Sequence, residues 1–179
     1  MSTAAPSISS PRRRRLLFSG LAVTALGVGG WATHVYRQRG IEQGKLTASG
    51  REVLRHLCRG ILAGLLPQDA AKKEAVLAEL MGVLDHGVAR LTPLVQQQMG
   101  LLLGSLSSAP SRLVLTGHWR SFRHASDTDM VDLLDQMRLS GNPLIQLTYR
   151  SVRSFVCIQC FSWAPFAARL PGYPGPMVI

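Results

Sequence analysis

Cys157 and Cys160 form a Cys-x-x-Cys pair, the sharpest chemical motif in the 179-residue sequence. Such a pair can act as a redox dithiol or supply half of a zinc site. Phe161 follows where covalent c-type haem would need a histidine, and no second cysteine pair supplies further zinc ligands. The pair also lies inside an apolar helical run, not at a helix N-terminus, where the dipole lowers a thiol pKa. We therefore expect two small buried side chains, with a redox or metal pair as the alternative.

Two histidines in a loop-like stretch could also meet on a metal ion or an anion. His118 and His124 flank Trp119 in His-Trp-Arg-Ser-Phe-Arg-His. No histidine of the chain forms part of a recognised zinc signature. We therefore expect exposed loop histidines, with metal or anion binding as the alternative.

Four aspartates cluster at the front of one predicted helix. Asp127 and Asp129 favour the positive end of the helix dipole, and Asp132 and Asp135 are expected on a solvated face. Their spacing lacks the glycine and terminal glutamate of an EF-hand calcium loop. The sequence also contains no glycine-rich phosphate loop, no nucleophile elbow and no His-Glu-x-x-His. We therefore expect no catalytic residue, no bound cofactor and no metal in this chain.

The positive charge of the chain is concentrated at its start. The net charge is +10, and Arg12 to Arg15 stand in a row before an apolar run. From Arg37 onward, 16 basic and 10 acidic residues are spread over several segments with few aromatic residues between them. Nucleic-acid binding needs a concentrated basic face. We therefore expect no nucleic-acid partner.

The first 36 residues have the layout of an export signal. Arg13 and Arg14 are followed after one residue by Leu16 and Leu17, which resembles a twin-arginine translocation (Tat) signal. The apolar run of residues 16–36 has no charged residue. A helix formed by this run, with a rise of about 1.5 Å per residue, is also long enough to cross a hydrocarbon core of about 30 Å. The sequence thus predicts a periplasmic protein that meets the Tat translocase. An uncleaved anchor in the inner membrane and cleavage near residues 30–32 stay open as alternatives.

The part of the chain after residue 46 is predicted to be all-α. Helix-capping patterns recur before apolar stripes of three- and four-residue spacing. The predicted helix starts are Ser49 with Glu52, Asp69, Thr92-Pro93, Ala109-Pro110, Ser126 with Asp129, and Asn142-Pro143. The last helix is expected to pack its stripe, which includes Leu144 and Leu147, into the core. The predicted organisation is a signal or membrane helix (1–36), a linker (37–46), a bundle of five to six helices (47–170) and an extended Pro/Gly tail (171–179).

Several of these segments together resemble a known family. The segments that carry the resemblance are the twin-arginine leader, the helix Arg51-Glu-Val-Leu-Arg-His-Leu-Cys-Arg-Gly-Ile-Leu-Ala-Gly-Leu-Leu-Pro67, the stretch Leu133-Leu-Asp-Gln-Met-Arg-Leu-Ser140, Tyr149, and Gly172-Tyr-Pro-Gly-Pro176. In this order they resemble the gluconate 2-dehydrogenase subunit 3 family, the small subunits of flavin-dependent sugar and alcohol dehydrogenases.

The resemblance implies a non-catalytic accessory subunit. The large subunit of such a complex binds FAD and oxidises the substrate, and a cytochrome c subunit can accept the electrons. The small subunit supplies the export signal that its folded partner lacks. Candidate partner contacts are Trp119, Trp163, Tyr173 and Pro174, because aromatic residues and proline-rich segments commonly anchor interfaces. The alternatives are a stand-alone envelope protein, either a membrane-anchored structural module or a thiol-redox protein using Cys157 and Cys160.

Overall fold

The computed structural model describes residues 39–117 and 120–162. These residues form a short β-hairpin followed by six α-helices and one 3₁₀ turn. The elements are β1 (Ile41–Glu42), β2 (Lys45–Leu46), α1 (Ala48–Ile61), α2 (Ala70–Ala89), α3 (Pro93–Ser107), α4 (Ala109–Thr116), the 3₁₀ turn (Phe122–His124), α5 (Asp127–Leu139) and α6 (Pro143–Ser162). The prediction of a mainly helical protein is confirmed for this part of the chain.

Polar side chains fix several helix starts as the sequence predicted. Asp69 accepts from the backbone N–H of Lys72 at the start of α2. Ser126 and Asp129 form the predicted capping box at the start of α5. Thr92 precedes Pro93 at the start of α3, although its hydroxyl makes no capping hydrogen bond. The caps at Asp69 and Ser126 satisfy backbone donors that the first helical turn leaves without a partner.

The first helix differs from its prediction at both ends. Thr47, rather than Ser49, is the N-cap of α1, and its hydroxyl accepts from the N–H of Gly50. The expected capping box of Ser49 and Glu52 is therefore wrong. At the other end α1 stops at Ile61, and turns occupy the residues up to Pro67. The helix was predicted to continue to that proline.

Residues 41–46 were predicted to belong to a linker and instead form a hairpin that joins the core. Ile41 pairs with Leu46 across the two strands, and both side chains are buried. The N–H of Gly40 donates to the carbonyl of Gly100 at 2.8 Å, which ties the hairpin to α3. The sequence had no long alternating pattern to show a strand here, because each strand has only two residues.

Helix α1 lies at the centre of the bundle and packs against α2, α3 and α5. Helix α6 packs on α5 and α2. Fully buried leucines from three helices meet in the middle: Leu54, Leu57, Leu77, Leu80, Leu84, Leu103 and Leu106. Burying such side chains is the main favourable contribution to folding, at about 25 cal/mol per Å² of apolar surface.

Several predictions concern residues outside the described ranges. They are the leader residues Arg13, Arg14, Leu16 and Leu17, the apolar run 16–36, and the candidate contacts Trp119, Trp163, Tyr173 and Pro174. Within residues 39–117 and 120–162, no helix has the length and apolar character needed to cross a bilayer.

Candidate functional site

Three arginines at four-residue spacing form a row along the polar side of α1. Residues four apart lie on the same face of a helix, so this row borders both neighbouring helices. Arg51 pairs with Asp85 and Arg55 pairs with Glu74, two carboxylates of α2. Arg59 binds Asp127 of α5, with 2.6 Å between nitrogen and oxygen. The arginine row (Arg51, Arg55 and Arg59) therefore clamps α1 to the helices on either side of it.

Asp127, one of the four clustered aspartates, lies between two cations. It accepts from Lys73 Nζ at 2.7 Å and from Arg59 at 2.6 Å. The hydrogen bond from Lys73 lowers the pKa of this carboxyl below its ordinary value, and the hydrogen bond from Arg59 adds to the effect. Two cations already use the carboxylate oxygens, so Asp127 joins three helices instead of serving as a calcium ligand.

The other aspartates have separate surroundings. Asp129 is held in the capping box, and Asp135 pairs with Arg138 at 3.0 Å on an exposed face. Asp132 is exposed and lines a cleft described below. In the part of the chain that the structure describes, no three histidine, cysteine, aspartate or glutamate side chains meet in a metal-binding cluster.

His56 lies beside the arginine row in an open groove of about 500 Å³, lined also by Glu52 and Arg123. Burial lowers the pKa of His56, and the nearby cation of Arg59 lowers it further. His56 Nδ1 is 3.2 Å from Arg59 Nη1. A guanidinium only donates, so Nδ1 accepts and the imidazole proton lies on Nε2. This arrangement could not be predicted from the sequence, since the partners of His56 come from the tertiary fold.

A bidentate ion pair closes one side of this groove. Arg123 donates through Nε and Nη2 to the two carboxylate oxygens of Glu52, at 2.5 Å each. The hydrogen bond from Arg123 lowers the pKa of Glu52. Each carboxylate that lines the groove is paired with an arginine. The neutral His56 is therefore surrounded by ion pairs. This arrangement resembles a structural ion-pair network more than a site prepared for proton transfer.

A second cleft, of about 280 Å³, lies between the 3₁₀ turn and α5. His124 and Phe122 contribute to its wall from the turn, and Asp132 from the helix. His118 and Trp119, expected near His124, lie outside the described residues. The expectation that His118 and His124 are exposed loop residues is met for His124, which is exposed on the 3₁₀ turn.

Arg112 supports this turn from inside the molecule and was missed in the sequence. Only 5% of its surface is exposed. Its Nη1 donates to the carbonyls of Leu106 and Ser107, at 3.1 and 2.9 Å, at the C-terminal end of α3. The guanidinium also lies over the ring of Phe122, 5.4 Å from its centroid. Arg112 therefore connects the end of α3 to the 3₁₀ turn through hydrogen bonds on one side and a cation–π contact on the other.

The two cysteines of the Cys-x-x-Cys pair lie in α6 and differ in exposure. Cys160 is fully buried, and burial raises its pKa to about 12. Cys157 is half-buried. Cys58 of α1 is also fully buried, and burial raises its pKa well above the ordinary value. The thiolate is the reactive form of cysteine. Burial of Cys160 therefore disfavours the thiolate that a redox pair or a metal site would need.

One face of α6 exposes large apolar side chains. Leu144, Leu147 and Ile158 are 58%, 60% and 59% exposed, and Phe161 follows at 40%. The prediction that Leu144 and Leu147 lie in the core is therefore wrong. The core-facing side of α6 is instead formed by Thr148, Val152, Phe155, Val156 and Cys160. A helix of 20 residues in contact with neighbours on one side leaves its other side to solvent.

Comparison of the chain with protein-family models, curated proteins and solved structures finds no match. The comparisons thus assign no family, and the resemblance to the gluconate 2-dehydrogenase subunit 3 family stays a prediction from the sequence.

Proposed function

We propose that this protein is a non-catalytic accessory subunit that escorts a folded, FAD-binding sugar or alcohol dehydrogenase across the inner membrane by the Tat pathway. The observation that carries the proposal is the twin-arginine pattern at Arg13 and Arg14 in front of a separate helical domain. A leader of this kind exports cargo that is already folded. A flavoprotein folds around its cofactor before export, which gives a physical reason for this route.

The helical domain supports the proposal in two ways. Its charged side chains join helices, as the arginine row and Asp127 illustrate, which gives the domain a rigid frame. Its last helix, in contrast, exposes large apolar side chains that a stand-alone domain would gain by covering. Exposed apolar side chains on a rigid domain are typical of a subunit that binds another protein.

The test is an affinity pull-down of the tagged full-length chain from membrane and periplasmic fractions of its native host. We expect a stoichiometric partner with the absorbance of bound flavin. Replacing Arg13 and Arg14 together by lysine should retain both proteins in the cytoplasm, while the pair still forms there. Replacing Arg90, an exposed basic residue far along the chain from the leader, by lysine is the matched control and should leave export unchanged.

Two results would contradict the escort role. Recovery of a colourless protein without a stoichiometric partner would favour a stand-alone envelope module, anchored or free. Export of the flavoprotein in cells that lack this chain would show that the partner carries its own route across the membrane.

A further inference from the structure

The exposed side of α6 has a regular pattern along the whole helix. Leu144, Leu147, Ser151, Ser154 and Ile158 follow one another at three- and four-residue spacing and therefore share a face. We call these five residues the α6 outer face. Leu147 and Ile158 are separated by about 16 Å along the axis, at about 1.5 Å per residue. The face thus presents a leucine pair near the start of the helix and an isoleucine near its end, with two serines between them.

The charged residues of α6 itself all have one sign. Arg150 and Arg153 are exposed, and α6 contains no acidic residue. None of the six ion pairs among residues 39–117 and 120–162 involves either arginine. The Arg153 guanidinium lies over the ring of Tyr149, 5.9 Å from the centroid. Tyr149 is half-buried and lies one turn before Arg153, so this contact holds Arg153 on the flank of α6 that also carries Arg150.

We propose that the α6 outer face is the docking surface for the dehydrogenase large subunit, and that the matching surface is an apolar groove with carboxylates along one rim. This inference rests on the proposed function and adds the place and the chemistry of the contact. Leu147 and Ile158 enter the groove, and Arg150 and Arg153 pair with the rim carboxylates. An amphipathic helix laid in a groove commonly binds through apolar side chains at this spacing.

The charge pattern argues against a second copy of the chain as the occupant. A symmetric dimer through α6 would bring the arginines of both copies to one interface that has no acidic residue on this helix. Like charges brought together in this way oppose association.

The serines argue against a lipid surface. Ser151 and Ser154 interrupt the apolar row in its middle, with Ser154 fully on the exposed side. A helix that lies in a bilayer interface buries a continuous apolar face in the acyl region. A protein groove can instead offer hydrogen-bond partners to the two hydroxyls between the apolar contacts.

The experiment compares substitutions on the α6 outer face within the full-length tagged protein. Leu147→Asp and Ile158→Asp should each lower flavoprotein recovery about tenfold, because a charge is placed where an apolar side chain is buried. Arg150→Glu together with Arg153→Glu should also lower recovery, and should remove the part of the binding that sodium chloride weakens in the wild type. Leu94→Asp is the matched control, since Leu94 is 63% exposed on α3, and should leave recovery unchanged.

The possible failures are distinguishable. If the wild type recovers no flavoprotein, the proposed function fails and this inference fails with it. If the wild type and the α6 variants recover the flavoprotein equally, the escort role stands and the docking surface is elsewhere.

Light scattering that shows a dimer lost in Leu147→Asp would assign the face to a second copy. Sedimentation with anionic phosphatidylglycerol vesicles that is lost in the same variant would assign it to the membrane. Thermal melting of each variant near the wild-type temperature confirms that the substitutions leave the fold intact.

Discussion

Gly60 of α1 lies against the backbone of Met130 in α5, so closely that a Cβ on Gly60 would be 2.9 Å from the Met130 carbonyl oxygen. The same Cβ would lie 2.7 Å from a methyl carbon of Leu134. The two helices therefore cross at a position where one of them has no side chain. This crossing sets the distance between the arginine row of α1 and its partner Asp127 at the start of α5.

Gly60→Ala should destabilise the protein by about 1–3 kcal/mol, because the backbone of Met130 cannot move away as a flexible side chain could. Gly82→Ala is the matched control. Gly82 lies within α2, and a Cβ there would meet nothing within 4 Å. Alanine is the better helix former by about 0.5–1 kcal/mol, so this variant should be slightly more stable than the wild type. Denaturant unfolding of both variants measures the difference. Equal stabilities would show that α1 and α5 do not cross as closely as described.

Stability should decrease as the pH falls from about 8 to about 3. Burial lowers the folded-state pKa of His56 below its ordinary value of 6.5, so protonation favours the unfolded state once the pH falls below that value. Lys73 and Arg59 lower the folded-state pKa of Asp127 below 3.8, so its stabilising contribution is present above that value and is lost as the pH falls through the folded-state pKa.

Two variants separate these contributions. His56→Gln should lose less stability than the wild type between about pH 7.5 and 5.5, and Asp127→Asn should lose less below about pH 4. Denaturation midpoints measured across this range provide the comparison. A wild-type protein that is more stable at about pH 5.5 than at about 7.5 would contradict the burial of neutral His56.

Arg112→Met should destabilise the protein by about 1.5–3 kcal/mol. The substitution keeps an apolar stem but leaves the carbonyls of Leu106 and Ser107 without the hydrogen bonds of a charged donor. It also removes the cation–π contact with Phe122. Arg138→Met, in an exposed pair with Asp135, is the control and should change stability by no more than about 1 kcal/mol. Urea unfolding of the two variants tests the prediction, which would be refuted by equal losses.

The three thiols should differ in reactivity in the folded protein. Cys58 and Cys160 are fully buried, and burial raises the pKa of Cys160 to about 12. At about pH 8 we therefore expect the half-buried Cys157 to react first with a disulfide reagent such as DTNB, and the other two only after unfolding. Stopped assays followed by peptide mass mapping give the order. Rapid, simultaneous reaction of Cys157 and Cys160 would revive the redox-pair hypothesis. If only Cys157 reacts in the folded protein, as we expect, a Cys157→Ser variant has no fast phase at all.

The helices and many of their starts could be predicted from local sequence. Asp69, Ser126 and Asp129 are short polar side chains directly before apolar stripes, and each caps the helix that follows it. The end of α4 was predictable in the same way, because Gly117 adopts a positive φ of 72° that glycine accepts without a steric penalty. Capping depends on residues three or four positions apart, so the sequence alone contains the information.

Secondary structure was predicted less accurately for short segments whose structure depends on contacts with residues distant in the chain. Residues 41–46 have strands of two residues, too short for a periodic pattern, and are held by α3 through the contact between Gly40 and Gly100. The same limit applies to His56, whose low pKa comes from burial and from Arg59. Periodicity also assigned Leu144 and Leu147 to the core, since it shows that a helix has an apolar side but not which side meets a neighbour.

The sequence by itself determined the helical class and several of the helix starts, because these follow from the order of nearby residues. Only the tertiary structure decided which polar groups meet and which apolar side of α6 faces solvent. Arg59, Lys73 and Asp127 are distant in sequence and adjacent in space, and Leu147 is exposed while Val152 is buried on the same helix. Packing brings together residues from different helices, and that arrangement depends on how all the helices fit around one core.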